Sequence, residues 1–192
     1  PPDWAGSCTP ETLAGHYATV AARIPVMVVT NIFSPRGEAF GLSALELTLA
    51  ATDNVVAIKD DMCGAFARKM GLLVHDRWAV IAGGQKQNHL NAHPYGCDGY
   101  LSTFITFKPE IAQHYWAAIV SNDLTTARDV IRDTDLPFFG LMMSMTGGFD
   151  AGIHGVLELF GICQRWRPLP YHSLTDAEME LLATGLHRLD IL

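Results

Sequence analysis

A lysine stands at the end of a short apolar run, in a position where an amine can do covalent chemistry. Lys59 follows Val55–Ile58 and precedes Asp60. A neutral lysine amine attacks a keto group and forms an imine, which then withdraws electrons from the neighbouring bonds. The pattern is therefore compatible with Schiff-base catalysis. The alternative from these residues alone is a lysine that ends a strand and holds its charge in water.

Strand alternation predicts the surroundings of this amine. Successive side chains of a strand point to opposite faces, so we expect Val55, Ala57 and Lys59 on one face. Val56 and Ile58 then lie on the other face. The small side chain of Ala57 leaves room beside Lys59, and partial burial there disfavours the charged form of the amine. We therefore expect a partly desolvated lysine.

Three further apolar runs also end in polar or flexible residues. These runs are Val26–Asn31, Trp78–Gly83 and Gly99–Ser102. The residues at or just after their ends are Thr30 and Asn31, Gly83 with Gly84 and Gln85, and Ser102 with Thr103. Because the carboxyl ends of the parallel strands in a barrel open on one face, we expect these residues to share a pocket with Lys59.

Two histidines form a second candidate site. His89 and His93 have i and i+4 spacing and could bind a metal ion from one face of a helix, with Cys97 or His75 nearby. No carboxylate motif accompanies them, and Pro94 ends the helix. A polar helix beside the pocket explains them more simply. A metal-dependent hydrolase is the third and least favoured of the functions considered.

Segments able to form helices separate the four runs. The first begins at Thr9 and Pro10, the second opens at Ser43, and the third covers Cys63–Val74. This alternation of strand and helix predicts a parallel sheet. Beyond Ser102 we expect only helices, at residues 108–120, 123–132, 153–164 and 175–189. The predicted organisation is four parallel βα units in residues 1–122 and a C-terminal helical extension in residues 123–192.

Several motifs stand in the order found in one family of barrel enzymes. Pro1–Pro2 resembles the pair that ends the fourth strand of that family, and Pro25–Arg36 resembles its fifth-strand motif and turn. Asn54–Asp60 resembles the sixth-strand motif that contains the Schiff-base lysine. Further similarities are Ala82–Gly84 to the seventh strand, Tyr95–Ser102 to the eighth, and residues 165–182 to the closing arginine–proline stretch and last helix. The chain thus resembles the dihydrodipicolinate synthase and N-acetylneuraminate lyase family.

This resemblance implies a fold and an activity. The fold is α/β, the C-terminal half of a TIM (β/α)8 barrel, and the chemistry is that of a class I aldolase. Lys59 forms an imine with a 2-keto acid such as pyruvate, so no cofactor and no metal is expected, and the protein is a dimer or tetramer. The implied substrate-binding residues are Asn31, Arg36, Gly83, Gly84, Gln85 and Leu101. The forked guanidinium of Arg36 suits a carboxylate.

The chain departs from the family at the groups that move protons. The fifth-strand tyrosine has no counterpart, and Thr30 stands in the best-aligned position. A threonine hydroxyl is shorter and less acidic than a phenol, although it could hold a water that relays the proton. Asp3–Trp4 replaces an aromatic pair, and Asp61–Cys63 replaces the usual Ser or Thr. We therefore expect a lyase or aldolase other than dihydrodipicolinate synthase, or else a non-catalytic protein that binds a keto acid or sugar acid.

Composition and length restrict the partners. The net charge of −7 and the lack of basic runs argue against nucleic acid. Polar residues interrupt every apolar run before the roughly 18 residues of a membrane span. The four scattered cysteines fit a reducing cytoplasm. A full barrel needs about 250 residues, and the Gly-Thr-Thr carboxylate-binding motif of the family's second strand has no match, so we expect part of a longer protein or a chain that another closes.

Overall fold

The computed structural model describes residues 6–192, which divide into two compact units. The first unit extends to Leu101 and the second begins at Ser102. The predicted boundary at residue 122 separates the βα units of the barrel from a helical extension. A division into compact units does not test that boundary, which stays a prediction. The matches of Pro1–Pro2 and Asp3–Trp4 to family motifs lie outside the described residues.

The first unit alternates helices and strands, as the sequence predicts. Its helices are α1 (Pro10–Ala21), α2 (Glu38–Ala51), α3 (Gly64–Val74) and α4 (Lys86–Ala92). Its strands are β1 (Val26–Val29), β2 (Val55–Asp60), β3 (Ala79–Ala82) and β4 (Gly99–Tyr100). Within the described residues the strands form one sheet in the order β1-β2-β3-β4, and every neighbouring pair is parallel. The predicted βα rhythm is confirmed.

One face of this sheet forms the core of the unit. Val28, Ile58 and Val80 are each at most 1% exposed, and they belong to one buried cluster with helix residues such as Leu45 and Met70. On the opposite face Met27 is 51% exposed. The helices therefore cover a single face of the sheet, which is the arrangement of half a (β/α)8 barrel.

Several element boundaries differ from the prediction, among them the start of the helix predicted at residues 153–164, which begins at Gly148, and two differences in the first unit have a clear physical reason. β1 ends at Val29 and not at Asn31, because the chain winds into a 3-10 turn over Thr30–Phe33. Helix α2 begins at Glu38, well before the predicted Ser43. Gly37 directly precedes it with φ of 85°, a left-handed conformation that glycine adopts without steric cost and that allows the early start.

The second unit, from Ser102 onward, consists of helices joined by loops, and residues 161–175 form the non-helical stretch before its last helix. Its helices are α5 (Pro109–Val120), α6 (Leu124–Val130), α7 (Leu136–Ser144), α8 (Gly148–Leu159) and α9 (Asp176–Arg188). Phe104, Phe107 and Phe138 pack ring against ring in its core. The predicted capping box at the start of α9 is confirmed, since the Thr175 hydroxyl and the Glu178 carboxylate each accept the other's backbone N–H.

Helix α7 is an element that the sequence analysis missed. The predicted helix at residues 123–132 continues through a π-helical turn, Ile131–Asp135, into α7. Pro137 is compatible with this continuation. It lies in the first turn of α7, where a proline has no helical N–H to lose. No helix within residues 6–192 is long and apolar enough to cross a membrane.

Candidate active site

Strand β2 lies between β1 and β3 and places Lys59 at its carboxyl end. Lys59 stands opposite Val29 on one side and Ile81 on the other. The predicted alternation along β2 is wrong in its first half. Val55 pairs with Val26, but the next pair joins Met27 to Ala57, so one residue of β2 bulges out of register.

The bulge changes which side chains share a face. Val55 is 1% exposed, like Ile58 further along the strand, while Val56 is 46% exposed. Val55 therefore lies on the core side, not on the face of Ala57 and Lys59. After the bulge, alternation holds, and Lys59 points to the face of the sheet that the helices leave open.

The ammonium group of Lys59 is ion-paired. Its Nζ lies 2.8 Å from both carboxylate oxygens of Asp61, and the side chains of Lys59 and Asp61 are 24% and 28% exposed. The expected partial burial of Lys59 is thus observed, and a carboxylate lies within hydrogen-bond distance of its amine.

The neighbouring carboxylate, Asp60, has a structural role. It is 3% exposed and accepts three hydrogen bonds, from the Thr30 hydroxyl at 2.9 Å and from the backbone N–H groups of Met62 and Cys63 at 3.0 Å each. These bonds satisfy a buried carboxylate that would otherwise be costly to desolvate. Asp60 thereby holds the turn that leads from β2 into α3, a role that the strand pattern did not reveal.

Thr30 belongs to the same hydrogen-bond network. Its hydroxyl donates to Asp60 and accepts the backbone N–H of Asp61 at 2.8 Å. Thr30 is fully buried. This geometry does not support the expected proton relay through Thr30, because the single hydroxyl proton is already donated and solvent cannot reach the group. Thr30 instead holds the backbone of Asp61 beside β1.

Gly83 provides the space that Asp61 occupies. A Cβ atom at Gly83 would lie 2.2 Å from Oδ1 of Asp61 and 2.7 Å from the backbone oxygen of Asp60, both far too close. The Gly83 N–H donates to that same backbone oxygen at 2.7 Å. Next, Gly84 has φ of 54°, and the Gln85 N–H donates to the Gly83 oxygen at 2.7 Å. Glycine at position 83 is therefore required by packing, whatever its role with substrate.

Cys63 ends the loop in a strained conformation. Its φ of 61° and ψ of −167° fall in a region that only glycine adopts freely. Burial raises the pKa of its thiol to about 11, and the Asp60 and Asp61 carboxylates add to the effect while Lys59 opposes it. The thiol stays protonated at neutral pH, so Cys63 is unsuited to act as a nucleophile.

The remaining predicted site residues lie further along the loops. Arg36 donates to the backbone oxygen of Cys8 at 2.6 Å and stacks over Phe40 at 4.3 Å from the ring centre. Asn31 is exposed in the 3-10 turn, and Leu101 is 50% exposed just after β4. The structure brings Thr30, Lys59 and Gly83 together around the Asp60–Asp61 pair. The contacts of Arg36 with Cys8 and Phe40 give it a structural role, whether or not it also binds a substrate carboxylate.

Comparison with known proteins identifies the family. The sequence profile of the dihydrodipicolinate synthetase family matches residues 5–188. The chain belongs to the dihydrodipicolinate synthetase family. A curated relative from Acinetobacter baumannii, named "Probable 5-dehydro-4-deoxyglucarate dehydratase", is 25% identical over 190 residues, which is 95% of this chain and 60% of the relative.

Solved structures of the dihydrodipicolinate synthetase family share this fold. A prophage protein of the family from E. coli K12, solved with pyruvate, matches with a TM-score of 0.78 at 20% identity over 97% of this chain and 63% of its own. Dihydrodipicolinate synthase from Thermotoga maritima matches with a TM-score of 0.78 at 20% identity, over 97% of this chain and 64% of its own. N-acetylneuraminate lyase from Fusobacterium nucleatum matches with a TM-score of 0.77 at 14% identity, over 95% of this chain and 62% of its own. The chain thus spans less than two thirds of the length of these family members.

The histidine of α4 packs against the histidine that directly follows this helix. The rings of His89 and His93 lie 5.2 Å apart, and His89 also contacts the ring of Tyr100 at 5.4 Å. Burial lowers the pKa of His89 to about 4, and the neighbouring His93 adds to this shift. Among residues 6–192 no group of three or more His, Cys, Asp or Glu side chains could hold a metal. The pair thus has no third protein ligand in the part of the chain described.

Asp61 is the site residue that the sequence analysis missed. From the sequence, Asp61–Cys63 was interpreted only as a departure from the family pattern. Its proximity to Lys59 depends on three things that periodicity does not encode: the turn held by Asp60, the hydrogen bond from Thr30 and the missing Cβ of Gly83. The available signal was a second carboxylate directly after the Lys-Asp pair, combined with a glycine at the end of the next strand.

Proposed function

We propose that this chain carries the lysine-bearing part of a Schiff-base lyase or aldolase that acts on a 2-keto acid of the pyruvate type. The observation that carries the proposal is Lys59 at the carboxyl end of β2, on the open face of the sheet, with a carboxylate 2.8 Å from its Nζ. The sequence around Lys59 resembles the lysine motif of the family. A family member of the same fold is described in complex with pyruvate, which supports a keto-acid substrate.

Lys59 would supply the covalent step. Its amine adds to the keto carbon, water leaves, and the resulting iminium withdraws electrons from the bonds at the adjacent carbon. A C–C bond at that position then breaks or forms with the iminium as electron acceptor. The carboxylate of Asp61 stabilises the positive charge of the iminium as it stabilises the ammonium.

Dehydration of a sugar acid is a second candidate reaction. It is favoured by the printed name of the Acinetobacter relative, a dehydratase of 5-dehydro-4-deoxyglucarate. The same iminium acidifies the C–H bond next to it, and loss of that proton allows a hydroxyl group to leave from the following carbon. Both reactions use Lys59 in the same way, so identifying the product of each substrate distinguishes them.

Borohydride trapping tests the proposal directly. We expect pyruvate with borohydride to leave a reduced adduct on Lys59, located by mass spectrometry of peptides. Lys59→Arg keeps the positive charge but cannot supply a neutral amine near pH 7, since its pKa is above about 12, and we expect no adduct. Lys69→Arg is the matched control, because Lys69 is an exposed lysine in an ion pair with Glu38.

The outcome also separates catalysis from simple binding. A non-catalytic keto-acid or sugar-acid binding protein, motivated by the missing tyrosines, predicts saturable binding of pyruvate with no adduct in the unmodified chain. That result would refute the Schiff-base mechanism, as would an adduct yield in Lys59→Arg equal to that of the unmodified chain.

We further propose that the active form is a homo-oligomer, a dimer or tetramer. A solved relative is described as a monomeric dihydrodipicolinate synthase variant, so membership of the family does not decide the question. Light scattering coupled to size-exclusion chromatography measures the assembly, and a monomer at all concentrations would contradict this expectation.

A further inference from the structure

We propose that Asp61 is the catalytic acid and base of imine formation, carrying the protons that the missing tyrosine carries in the family. This inference rests on the proposed Schiff base at Lys59. Its basis is geometric: both oxygens of Asp61 lie 2.8 Å from the nitrogen that reacts. A group at hydrogen-bond distance from the reacting atom satisfies the first requirement of a general acid or base.

Asp61 is available for proton transfer in a way that its neighbours are not. The hydroxyl of Thr30 and the carboxylate of Asp60 are buried and bonded to each other and to backbone N–H groups. The carboxylate of Asp61 is 28% exposed and is bonded to Lys59 itself. Of the two neighbouring carboxylates, Asp61 lies beside the open face of the sheet. It is therefore the one that can exchange a proton with substrate.

The position of Asp61 is built by three separate elements. Its backbone N–H is held by Thr30, which follows β1. The turn around it is closed by Asp60 at the end of β2. Its side chain occupies the space that Gly83, at the end of β3, leaves by having no Cβ. A side chain held from three strand ends is oriented for function in the way that catalytic groups require.

The proton steps balance with Asp61 alone. The Lys59 ammonium gives one proton to the Asp61 carboxylate, and the neutral amine attacks the keto carbon, whose π electrons move to oxygen. Asp61 returns the proton to that oxygen and then takes a second proton from the nitrogen. It passes this proton to the hydroxyl, which leaves as water while the nitrogen lone pair forms the C=N bond. The carboxylate is regenerated beside a positively charged iminium.

A purely electrostatic role for Asp61 predicts the opposite effect of its removal. If the carboxylate only holds Lys59 in its charged form, then Asp61→Asn frees the amine, and the imine forms faster at neutral pH. If Asp61 shuttles the protons, imine formation slows by about 100-fold or more, the usual contribution of a general acid or base. The sign of the change therefore distinguishes the two roles.

The experiment measures the rate of imine formation on the intact chain. Pyruvate is added, samples are quenched with borohydride at timed intervals, and the adduct on Lys59 is quantified by mass spectrometry from pH 6 to pH 10. The variants are Asp61→Asn, the isosteric change, and Asp61→Glu, which keeps a carboxylate. Asp53→Asn is the matched control, because Asp53 stands before β2, is exposed and pairs with Arg77. Circular dichroism establishes that each variant is folded.

We expect Asp61→Asn to slow adduct formation across the pH range, Asp61→Glu to recover part of the rate, and Asp53→Asn to match the unmodified chain. An equal or faster rate in Asp61→Asn, with adduct forming normally in the unmodified chain, would overturn the role of Asp61 and leave the Schiff base intact. No adduct in the unmodified chain would overturn the proposed function and, with it, this inference.

Discussion

Gly83 offers the sharpest test of how the candidate site is held together. In Gly83→Ala the new Cβ meets Oδ1 of Asp61 at 2.2 Å and the backbone oxygen of Asp60 at 2.7 Å. Rotation of the Asp61 side chain relieves the first contact, but the second requires β2 and β3 to separate. That separation lengthens the 2.7 Å hydrogen bond from the Gly83 N–H to Asp60.

The magnitudes set the expected sign. Overpacking of this kind costs about 1–3 kcal/mol, and weakening one hydrogen bond adds up to about 1 kcal/mol. The lower entropy of the unfolded chain offsets about 0.4–1 kcal/mol. We therefore expect Gly83→Ala to lower the free energy of unfolding by about 1–3 kcal/mol. The rotation of Asp61 away from Lys59 should also slow imine formation.

Urea unfolding followed by circular dichroism measures the stability change. Gly15→Ala is the matched control, since Gly15 lies in α1 and a Cβ there would meet no packing neighbour. We expect that control to raise stability by about 0.5–1 kcal/mol through helix propensity. In an Asp61→Ala background, Gly83→Ala should cost less, because the first of the two clashes is gone. Unchanged stability of Gly83→Ala, together with an unchanged rate of adduct formation, would refute this account of the glycine.

Three further predictions concern Thr30, Cys63 and His89. Thr30→Val should cost about 1–3 kcal/mol in urea unfolding, because it leaves the Asp61 N–H without a partner and removes one of the two donors to Oδ1 of Asp60. Thr30→Ser should recover most of this cost, and full stability of the Val variant would contradict the expectation. Cys63→Gly should stabilise the chain by about 1 kcal/mol, because glycine adopts the positive φ of this position without strain. A loss of stability would show that Cys63 is not strained there. The pKa of His89 is lowered from 6.5 to about 4. Between these two pH values the folded chain therefore binds fewer protons than the unfolded chain, and the free energy of unfolding should fall as the pH drops from about 6.5 to 4. Replacing His89 with Gln should reduce that fall, and an identical pH dependence would argue against the shift.

Most of the first unit could be predicted because its signals are local. β-branched runs at Val26, Val55 and Trp78 are typical of buried strands, and the spacing between them fits one helix each. The parallel order of the sheet follows from that rhythm. Fold class and strand positions could therefore be predicted from the sequence, and so could the location of Lys59 at a strand end.

What could not be predicted depends on contacts between distant residues. The bulge at Val56 cannot be recognised from the sequence, because every residue of Val55–Ile58 is apolar and could lie on either face of the sheet. The continuation of α6 into α7 depends on a π-helical turn that places Pro137 where it does no harm. Both errors come from interpreting a local pattern where packing against other elements decides the outcome.

The Asp60–Asp61 pair shows how one strand end can serve structure and chemistry at once. Asp60 is the last residue of β2 and the chain turns directly after it, so the two carboxylates enter different environments. Asp60 faces the buried side and is satisfied by three donors, while Asp61 lies on the open side against a single cation, Lys59.

The two environments give the carboxylates different tasks. A buried carboxylate with every oxygen bonded holds its surroundings and is poorly placed to give or take a proton. A partly exposed carboxylate paired with one amine can exchange a proton with it and with a molecule bound alongside. If this division is correct, Asp60→Asn should act mainly on the free energy of unfolding and Asp61→Asn mainly on the rate of adduct formation. Equal effects of the two variants on both measurements would show that the carboxylates act as one unit and that the assignment of proton transfer to Asp61 alone is wrong.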